Sequence, residues 1–384
     1  MLNKPVDDSK VIEEVMWSFF QRYFLPGFVF QGIVIGGGYA TGRELAEFFL
    51  PHGPVGGLLG MATAALIWGA VMAVSFELCR MSGSYDYRHF FQRLLGRAWF
   101  LYEVLLVLLM IVILSVVGAA AGEIVNNIFG LAPVTGTGVL LVAIGVLVFF
   151  GSGLIERFMG GWSILLYVSY IALVVWSLSS FGADIERTFR EVPNGDGWFL
   201  DGIRYAGYNI AVVPMVFFCL NHVRRRKVAM TAGLMAGIIG MLPAVFLFVA
   251  MMSAHDQMGD ALIPSALLLE RLDARWFEVL FQLVLLGTLV QTGVGMIHGV
   301  NERIAATLED KGREMPAFVR PVIAALLLLA AMVAANAFGL INLIAKGYGM
   351  LTFGFIIVFV VPVLTIGAWR VFRSAPVERE VKVD

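Results

Sequence analysis

The sequence predicts an all-α integral membrane protein of ten transmembrane helices, arranged as two inverted five-helix repeats with the first and sixth helices broken. Three observations carry this reading. The chain of 384 residues is 59% hydrophobic and only 14% charged, with a mean hydropathy of +0.85, far from the balance of a soluble domain. Charge-free runs such as 55–76, 104–122, 158–183, 228–254 and 279–297 recur along it, and about 20 apolar residues cross the hydrocarbon core. Finally, the first such segment holds Gly32, Gly36, Gly37, Gly38 and Gly42. Each weakens a helix, and irregular backbone survives at membrane depth only where it is buried in protein or lines a cavity.

The elements follow in order. Residues 1–23 form an N-terminal segment in which Glu13, Glu14, Gln21 and Arg22 alternate with Val15, Trp17, Phe19 and Phe20, the pattern of an interfacial amphipathic helix. The first repeat spans 24–181. Its first segment turns at Pro51-His52-Gly53-Pro54 into the second, which ends near Arg80. A polar link follows, then segments over about 99–129, 134–150 and 155–180. A polar loop is expected at 182–199, where Pro193-Asn194-Gly195-Asp196-Gly197 supplies turn chemistry. The second repeat, 200–372, begins with a segment interrupted by Pro214, which removes a backbone donor in mid-membrane. A loop from His255 to Arg275 contains a helical pattern at Pro264–Leu272, and residues 373–384 form a tail.

Basic residues orient this count. With the N-terminus inside, 20 of the 27 Lys and Arg fall on the cytoplasmic side, which requires an even number of spans and both termini in the cytoplasm. The expected location is the cytoplasmic membrane. Five spans per half make the halves inverted, and both halves open on a Gly-Ile followed by a Gly-Tyr: Gly32-Ile33 with Gly38-Tyr39, and Gly202-Ile203 with Gly207-Tyr208. Paired broken helices at such positions mark the binding site of inverted-repeat transporters.

Here the chain resembles the amino acid–polyamine–organocation superfamily, whose fold is that of the bacterial leucine transporter. Within it, Ile35-Gly36-Gly37-Gly38-Tyr39-Ala40-Thr41-Gly42-Arg43-Glu44 resembles the first-helix motif of YkvI-type membrane proteins, approximately Val-Gly-Ala-Gly-Phe-Ala-Ser-Gly-Gln-Glu; Arg43 departs from the Gln of that motif.

Unwinding at Gly36–Gly42 exposes backbone N–H groups, and a half-helix restarting over 39–45 turns its positive end to the membrane centre, suited to a carboxylate. Free carbonyls near Gly207–Ile210 suit an ammonium group. Together these describe a zwitterion, an amino acid first of all, held by Gly36, Gly37, Gly38, Tyr39, Thr41, Gly42, Gly207, Tyr208 and Asn209. No Asp or Glu lies in either break, so a bare divalent metal is poorly served. The resemblance also implies a coupling-ion site: Gly32 and Ile35 match the carbonyl positions of sodium-coupled members, and Gln291 and Thr292 the eighth-helix positions. Coupling by sodium, by a proton, or not at all stays open. The outer gate of such members pairs a first-helix arginine with a tenth-helix aspartate. Here the polarity looks reversed, with Glu47 or Glu44 facing Lys346.

The function expected is secondary active transport of a small, zwitterionic solute by alternating access. The alternative is a nutrient sensor on the same fold, like the membrane subunits of germinant receptors. Net charge of −1 excludes nucleic acid as partner; the partners are the solute and the bilayer. Two cysteines without a pairing pattern, no paired histidines and no nucleophile motif leave no catalytic centre, no cofactor and no structural metal. The sequence is silent on oligomeric state.

Overall fold

The computed structural model describes residues 8–150, 152–309, 311–316 and 318–373, all helix and connecting turn. The expected tail at 373–384 lies outside them beyond Arg373. Helix α1 (Asp8–Tyr23) leads into α2 (Leu25–Val34), which starts with Pro26 in its first turn. The chain then breaks, makes a single turn, α3 (Gly37–Ala40), and restarts as α4 (Arg43–Phe48). After a tight turn at Leu50–His52 follow α5 (Gly53–Ser82), α6 (Tyr87–Leu95), α7 (Trp99–Phe129), α8 (Pro133–Phe150) and α9 (Ser152–Glu191). The second half runs through α10 (Trp198–Asn209), a 3-10 stretch Ile210–His222, α11 (Arg226–Met251), α12 (His255–Met258), α13 (Pro264–Arg271), α14 (Arg275–Glu309) and α15 (Val319–Asn342). Wide turns at Leu343–Tyr348 lead into α16 (Gly349–Phe355), and the described chain ends in α17 (Ala368–Arg373).

Six helical stretches among the described residues have the length and apolar composition to cross a membrane, and the shorter apolar helices Leu25–Val34 and Pro133–Phe149 add to them. The protein is a multi-pass membrane protein. Two of the six, Arg43–Ser82 and Val319–Arg373, run to 40 and 55 residues, well beyond one crossing. The first turns at Gly53, with φ of +69°, and the second at Gly339, with φ of +70°. The outward faces of the apolar helices carry exposed Leu66, Val139, Ile238, Leu326 and Ile357, the surface that hydrocarbon requires.

One boundary differs from expectation. Residues 182–191 are helical, not loop: α9 bends at Phe181 (φ −125°, ψ 20°) and continues to Glu191. Its polar composition reads as loop, yet Arg187 pairs with Asp184 at 3.3 Å, Arg190 pairs with Glu186, and Arg271 reaches Asp184 from α13 at 3.4 Å. These contacts lie one helical turn apart or tie the extension to the loop over it.

The break in the sixth segment sits earlier than Pro214. Regular α-helix stops at Asn209, and the 3-10 stretch begins at Ile210. A proline removes the hydrogen bond to the carbonyl four residues before it and clashes with that carbonyl. For Pro214 that residue is Ile210. The Tyr102 hydroxyl donates to the neighbouring Ala211 carbonyl at 2.6 Å, satisfying one of the groups released there. Thirteen residues of 3-10 geometry are unusual, since such runs are ordinarily about three or four residues long.

The scaffold beneath the breaks is α5 against α11. A Cβ built on Gly233 would lie 2.3 Å from the Ala73 nitrogen, and one on Gly237 would lie 2.5 Å from the Ala65 carbonyl oxygen. These backbones touch with no side chain between them, as small residues permit in membranes.

Candidate functional site

The first-segment break has two parts. Ile35 (φ −70°, ψ 75°) leaves the helix in a tight γ-type turn, and Gly36 (φ −104°, ψ −161°) follows in extended geometry. The Gly36 N–H turns to the Val34 carbonyl at 2.7 Å, so the Gly32 carbonyl loses its ordinary helical donor. After the single turn α3, Gly42 takes the left-handed conformation at φ +80° and redirects the chain into α4. The restart is therefore Arg43–Phe48, behind one separate turn, rather than one half-helix from Tyr39.

That redirection decides what fills the break. Glu44, in the first turn of α4 and 3% exposed, folds back over Gly38. A Cβ on Gly38 would lie 2.3 Å from Glu44 Oε1 and 2.6 Å from its Cγ, so the missing side chain at 38 is the space the carboxylate occupies. The hydroxyls of Tyr205 and Tyr208, one turn apart on α10, face this carboxylate. Neither closes a hydrogen bond of good geometry with it, and Glu44 Oε2 likewise has no partner. Tyr348 comes in from the tenth segment and stacks on Tyr208, with ring centroids 4.3 Å apart. Between these groups lies a cavity of about 20 Å³ bounded by Ile33, Val34, Gly36, Glu44, Ile113, Tyr208, Asn209, Val212, Thr292 and Tyr348.

The structure thus brings together Gly36, Tyr208, Asn209 and Thr292 of the expected set, and adds Glu44 and Tyr348. The Asn209 side-chain amide donates to the Tyr205 carbonyl at 3.1 Å, which leaves its oxygen for the cavity. The Thr292 hydroxyl stands between the Ile35 carbonyl at 3.3 Å and the Thr288 carbonyl at 3.2 Å. The coupling-ion residues Ile35 and Thr292 are accordingly in contact, and Gln291 is buried beside them. Gly32 stands open, with nothing within 4 Å of a Cβ there.

Four expected site residues do other work. Gly37 lets α3 approach α7: a Cβ would lie 3.1 Å from the Val117 Cα. Gly207 lets α10 approach α16, where a Cβ would lie 2.7 Å from the Thr352 methyl. Thr41 caps the turn it ends, its hydroxyl donating to the Gly37 carbonyl at 2.7 Å. The buried Tyr39 hydroxyl donates to the Gly240 carbonyl at 3.0 Å and accepts from the Ala244 N–H at 2.7 Å. In a regular helix those two groups would bond each other. Tyr39 is spliced into α11 at Pro243 and stitches the break to the scaffold, the kind of insertion that bends a helix. Tyr39→Phe removes the splice, and we expect it to cost about 1–3 kcal/mol of stability while leaving the cavity residues in place. Thermal unfolding alongside a ligand-binding measurement separates the two effects.

The reversed gate is corrected in this conformation. Glu47 pairs with Arg43 of its own helix at 3.0 Å, and Arg43 further donates to the carbonyls of Gly259 (2.7 Å) and Ala261 (3.0 Å) in the loop above. Lys346 is exposed, and among the described residues it forms no ion pair with Glu44 or Glu47. Glu44 belongs to the central cavity. The pair with Glu47 and the two carbonyl contacts hold the buried Arg43 over the loop and engage Glu47 on its own helix.

The comparisons with known proteins agree with this architecture. A crystal structure of the Eremococcus coleocola manganese transporter in complex with an aromatic bis-isothiourea substituted compound superimposes with a TM-score of 0.60, over 91% of this chain and 79% of that one, at 12% identity. The chain shares that fold. A variant of the same transporter gives a TM-score of 0.59 at 11% identity, over 90% of this chain and 79% of that one. Both structures are of a transporter. By sequence, the chain is 24% identical over 295 residues to the uncharacterised membrane protein YkvI of Bacillus subtilis (strain 168), covering 74% of this chain and 82% of that protein. No protein-family model matches the chain.

Proposed function

We propose that the chain is a secondary transporter of the cytoplasmic membrane, working by alternating access, whose central site takes a small monovalent cation. In this reading ten spans form two inverted repeats, both termini are cytoplasmic, and the breaks at Ile35–Gly36 and Asn209–Ile210 occupy corresponding places. The observation that carries it is Glu44, a buried carboxylate set in the wall of a cavity of about 20 Å³. That volume suits one water molecule or a dehydrated ion. The facing donors are oxygens, from Glu44, Tyr208, Asn209 and Thr292, the hard set that alkali and alkaline-earth ions prefer to thiolate or imidazole. One carboxylate balances one positive charge. No group of three or more His, Cys, Asp or Glu able to hold a metal ion occurs among the described residues, which speaks against a multiply charged ion.

The amino acid reading loses its anchor. The position expected to hold the solute's carboxylate is filled by the protein's own, and a second anion beside it would be repelled. No acidic residue lies within the first break itself, which counts against a bare divalent metal, but Glu44 folding over Gly38 brings a carboxylate into it.

The test is sodium binding followed by sodium uptake. Sodium should raise the melting temperature of the purified chain in detergent, and proteoliposomes should take up radioactive sodium. Glu44→Gln keeps the shape and removes the charge, and should weaken sodium binding by about 10- to 100-fold. Protection by manganese in place of sodium would overturn the monovalent assignment. Binding without uptake would make the protein the sensor of the alternative reading.

A further inference from the structure

We infer that the turn between α4 and α5 is a proton-binding latch, in which His52 holds the outer end of the first break to α10 only while its contact with Asp201 keeps a proton. The inference goes beyond the cation reading, from which it takes only the orientation that places this turn on the extracytoplasmic side.

The latch is built around one ring. His52, 6% exposed, ends the tight turn at Leu50–His52. Residues 193–197 fold over it. The Gly195 N–H donates to the His52 carbonyl at 3.1 Å, and Asn194 Oδ1 accepts from the N–H groups of Val55 and Gly56 at 3.0 and 3.2 Å. A Cβ on Gly197, whose φ is +93°, would lie 3.4 Å from the His52 Cε1. Inside this wrap the ring has two partners. Nδ1 lies 2.9 Å from the Asp196 carbonyl oxygen, and Nε2 lies 2.9 Å from Asp201 Oδ2 on α10.

Both partners are acceptors. A carbonyl oxygen has no proton to give, and the other oxygen of the Asp201 carboxylate already accepts from the Arg204 guanidinium at 2.9 Å. Both ring nitrogens therefore donate, and the ring is an imidazolium. A neutral imidazole carries one N–H and would turn a lone pair on one of the two acceptors. Placing the proton on Asp201 instead leaves the count unchanged. The latched form holds one proton that a separated neutral ring and carboxylate do not, so acid favours the latch and it is lost as the outer pH rises. The charged groups on the elements around the ring are few. On α10 they are Asp201 and Arg204, and the exposed Asp196 gives its backbone carbonyl. On α4, Glu47 is engaged by Arg43 and Glu44 lines the cavity; residues 53–56 of α5 carry no charge.

What the latch governs follows from its place. Asp201, Tyr205 and Tyr208 stand at i, i+4 and i+7, one stripe of α10. Along the other arm, Phe48 and Phe49 lie between Glu44 and His52. The Phe48 ring meets Tyr205 and Tyr208 with centroids 5.6 and 5.9 Å apart, and Phe49 meets Tyr205 at 4.8 Å. These rings join the two arms that carry Glu44 and its facing tyrosines. Parting them on the outer side requires release of the latch.

The experiment is hydrogen–deuterium exchange on the full chain in nanodiscs without sodium, from about pH 5 to about pH 8.5, across the range where imidazole changes charge. After correction for chemical exchange at each pH, protection of residues 52–56 and 193–201 should fall by about 10- to 100-fold toward alkaline pH, as for one charge-assisted hydrogen bond. Protection at 65–73 and 233–237, in the α5–α11 contact, should stay level. Asp201→Asn is the decisive variant. Its amide N–H donates to a neutral Nε2 while its oxygen still accepts from Arg204, so protection should stay high at every pH. His52→Phe fills the space with neither nitrogen, and protection should be low at every pH. Wild-type protection indifferent to pH would overturn the latch, as would a wild-type fall repeated unchanged in Asp201→Asn. No sodium is present, so either result leaves the cation reading to its own test.

Discussion

Gly38→Ala is expected to leave the protein folded and to weaken cation binding by about 10- to 100-fold. The added Cβ would lie 2.3, 2.6 and 2.8 Å from Oε1, Cγ and Cδ of Glu44. All three atoms belong to a flexible side chain, so the clash resolves by rotating the carboxylate out of the break. The fold loses little, because alanine in a helical turn is favoured over glycine by about 1 kcal/mol. Gly37→Ala is the contrasting variant. Its Cβ would meet the Val117 backbone at 3.1 and 3.2 Å, which cannot rotate away, so it should lower stability without evicting Glu44. Sodium-dependent melting curves of the two variants measure both effects. Wild-type sodium affinity in Gly38→Ala would show that the carboxylate over residue 38 is not the ligand.

The same geometry explains how much of the site was legible in the sequence. Clustered glycines and Pro214 are local signals, and each marks its break to within a few residues. The corrected residues are those whose role depends on a distant partner. Tyr39 is 201 residues from the carbonyl it bonds, and nothing near it in the chain announces α11. Glu44 lies beyond the glycine run, and from the sequence it reads as a gate residue facing Lys346. It enters the cavity only because Gly42 adopts φ of +80° and because residue 38 has no side chain. Tyr205 and Tyr208 stand one turn apart on one helix face, a signal the sequence did offer. Tyr348 depends on the wide turn at Leu343–Tyr348, which composition does not specify. The extension of α9 was hidden because Asp184, Glu186, Arg187 and Arg190 look like loop residues until their i,i+3 and i,i+4 pairing is seen.

The largest loss of stability is expected at Gly233, in the scaffold rather than at the site. A Cβ there would lie 2.3 Å from the Ala73 nitrogen, 2.4 Å from its Cα and 2.6 Å from the Met72 carbonyl carbon. Every contacting atom is backbone of α5, so relief requires the two helices to move apart. Overpacking of a tight contact costs about 1–3 kcal/mol, and more where nothing can repack. Gly233→Ala should sit at the top of that range and Gly233→Val beyond it. The damage should spread, because α11 also receives the Tyr39 splice at Gly240 and Ala244, and α5 holds α10 through the Trp68 indole on the Ala206 carbonyl at 3.2 Å. Gly237 is one turn away on the same face, its Cβ 2.5 Å from both the Ala65 carbonyl oxygen and the Gly69 nitrogen. Separating the helices for one alanine makes room for the other, so the double variant should lose less than the sum of the singles. Gly32→Ala, with open space around it, serves as the neutral reference. Melting temperatures of the four proteins in one detergent decide the matter: strictly additive losses, or a Gly233→Ala as stable as Gly32→Ala, would mean that the α5–α11 contact does not limit stability.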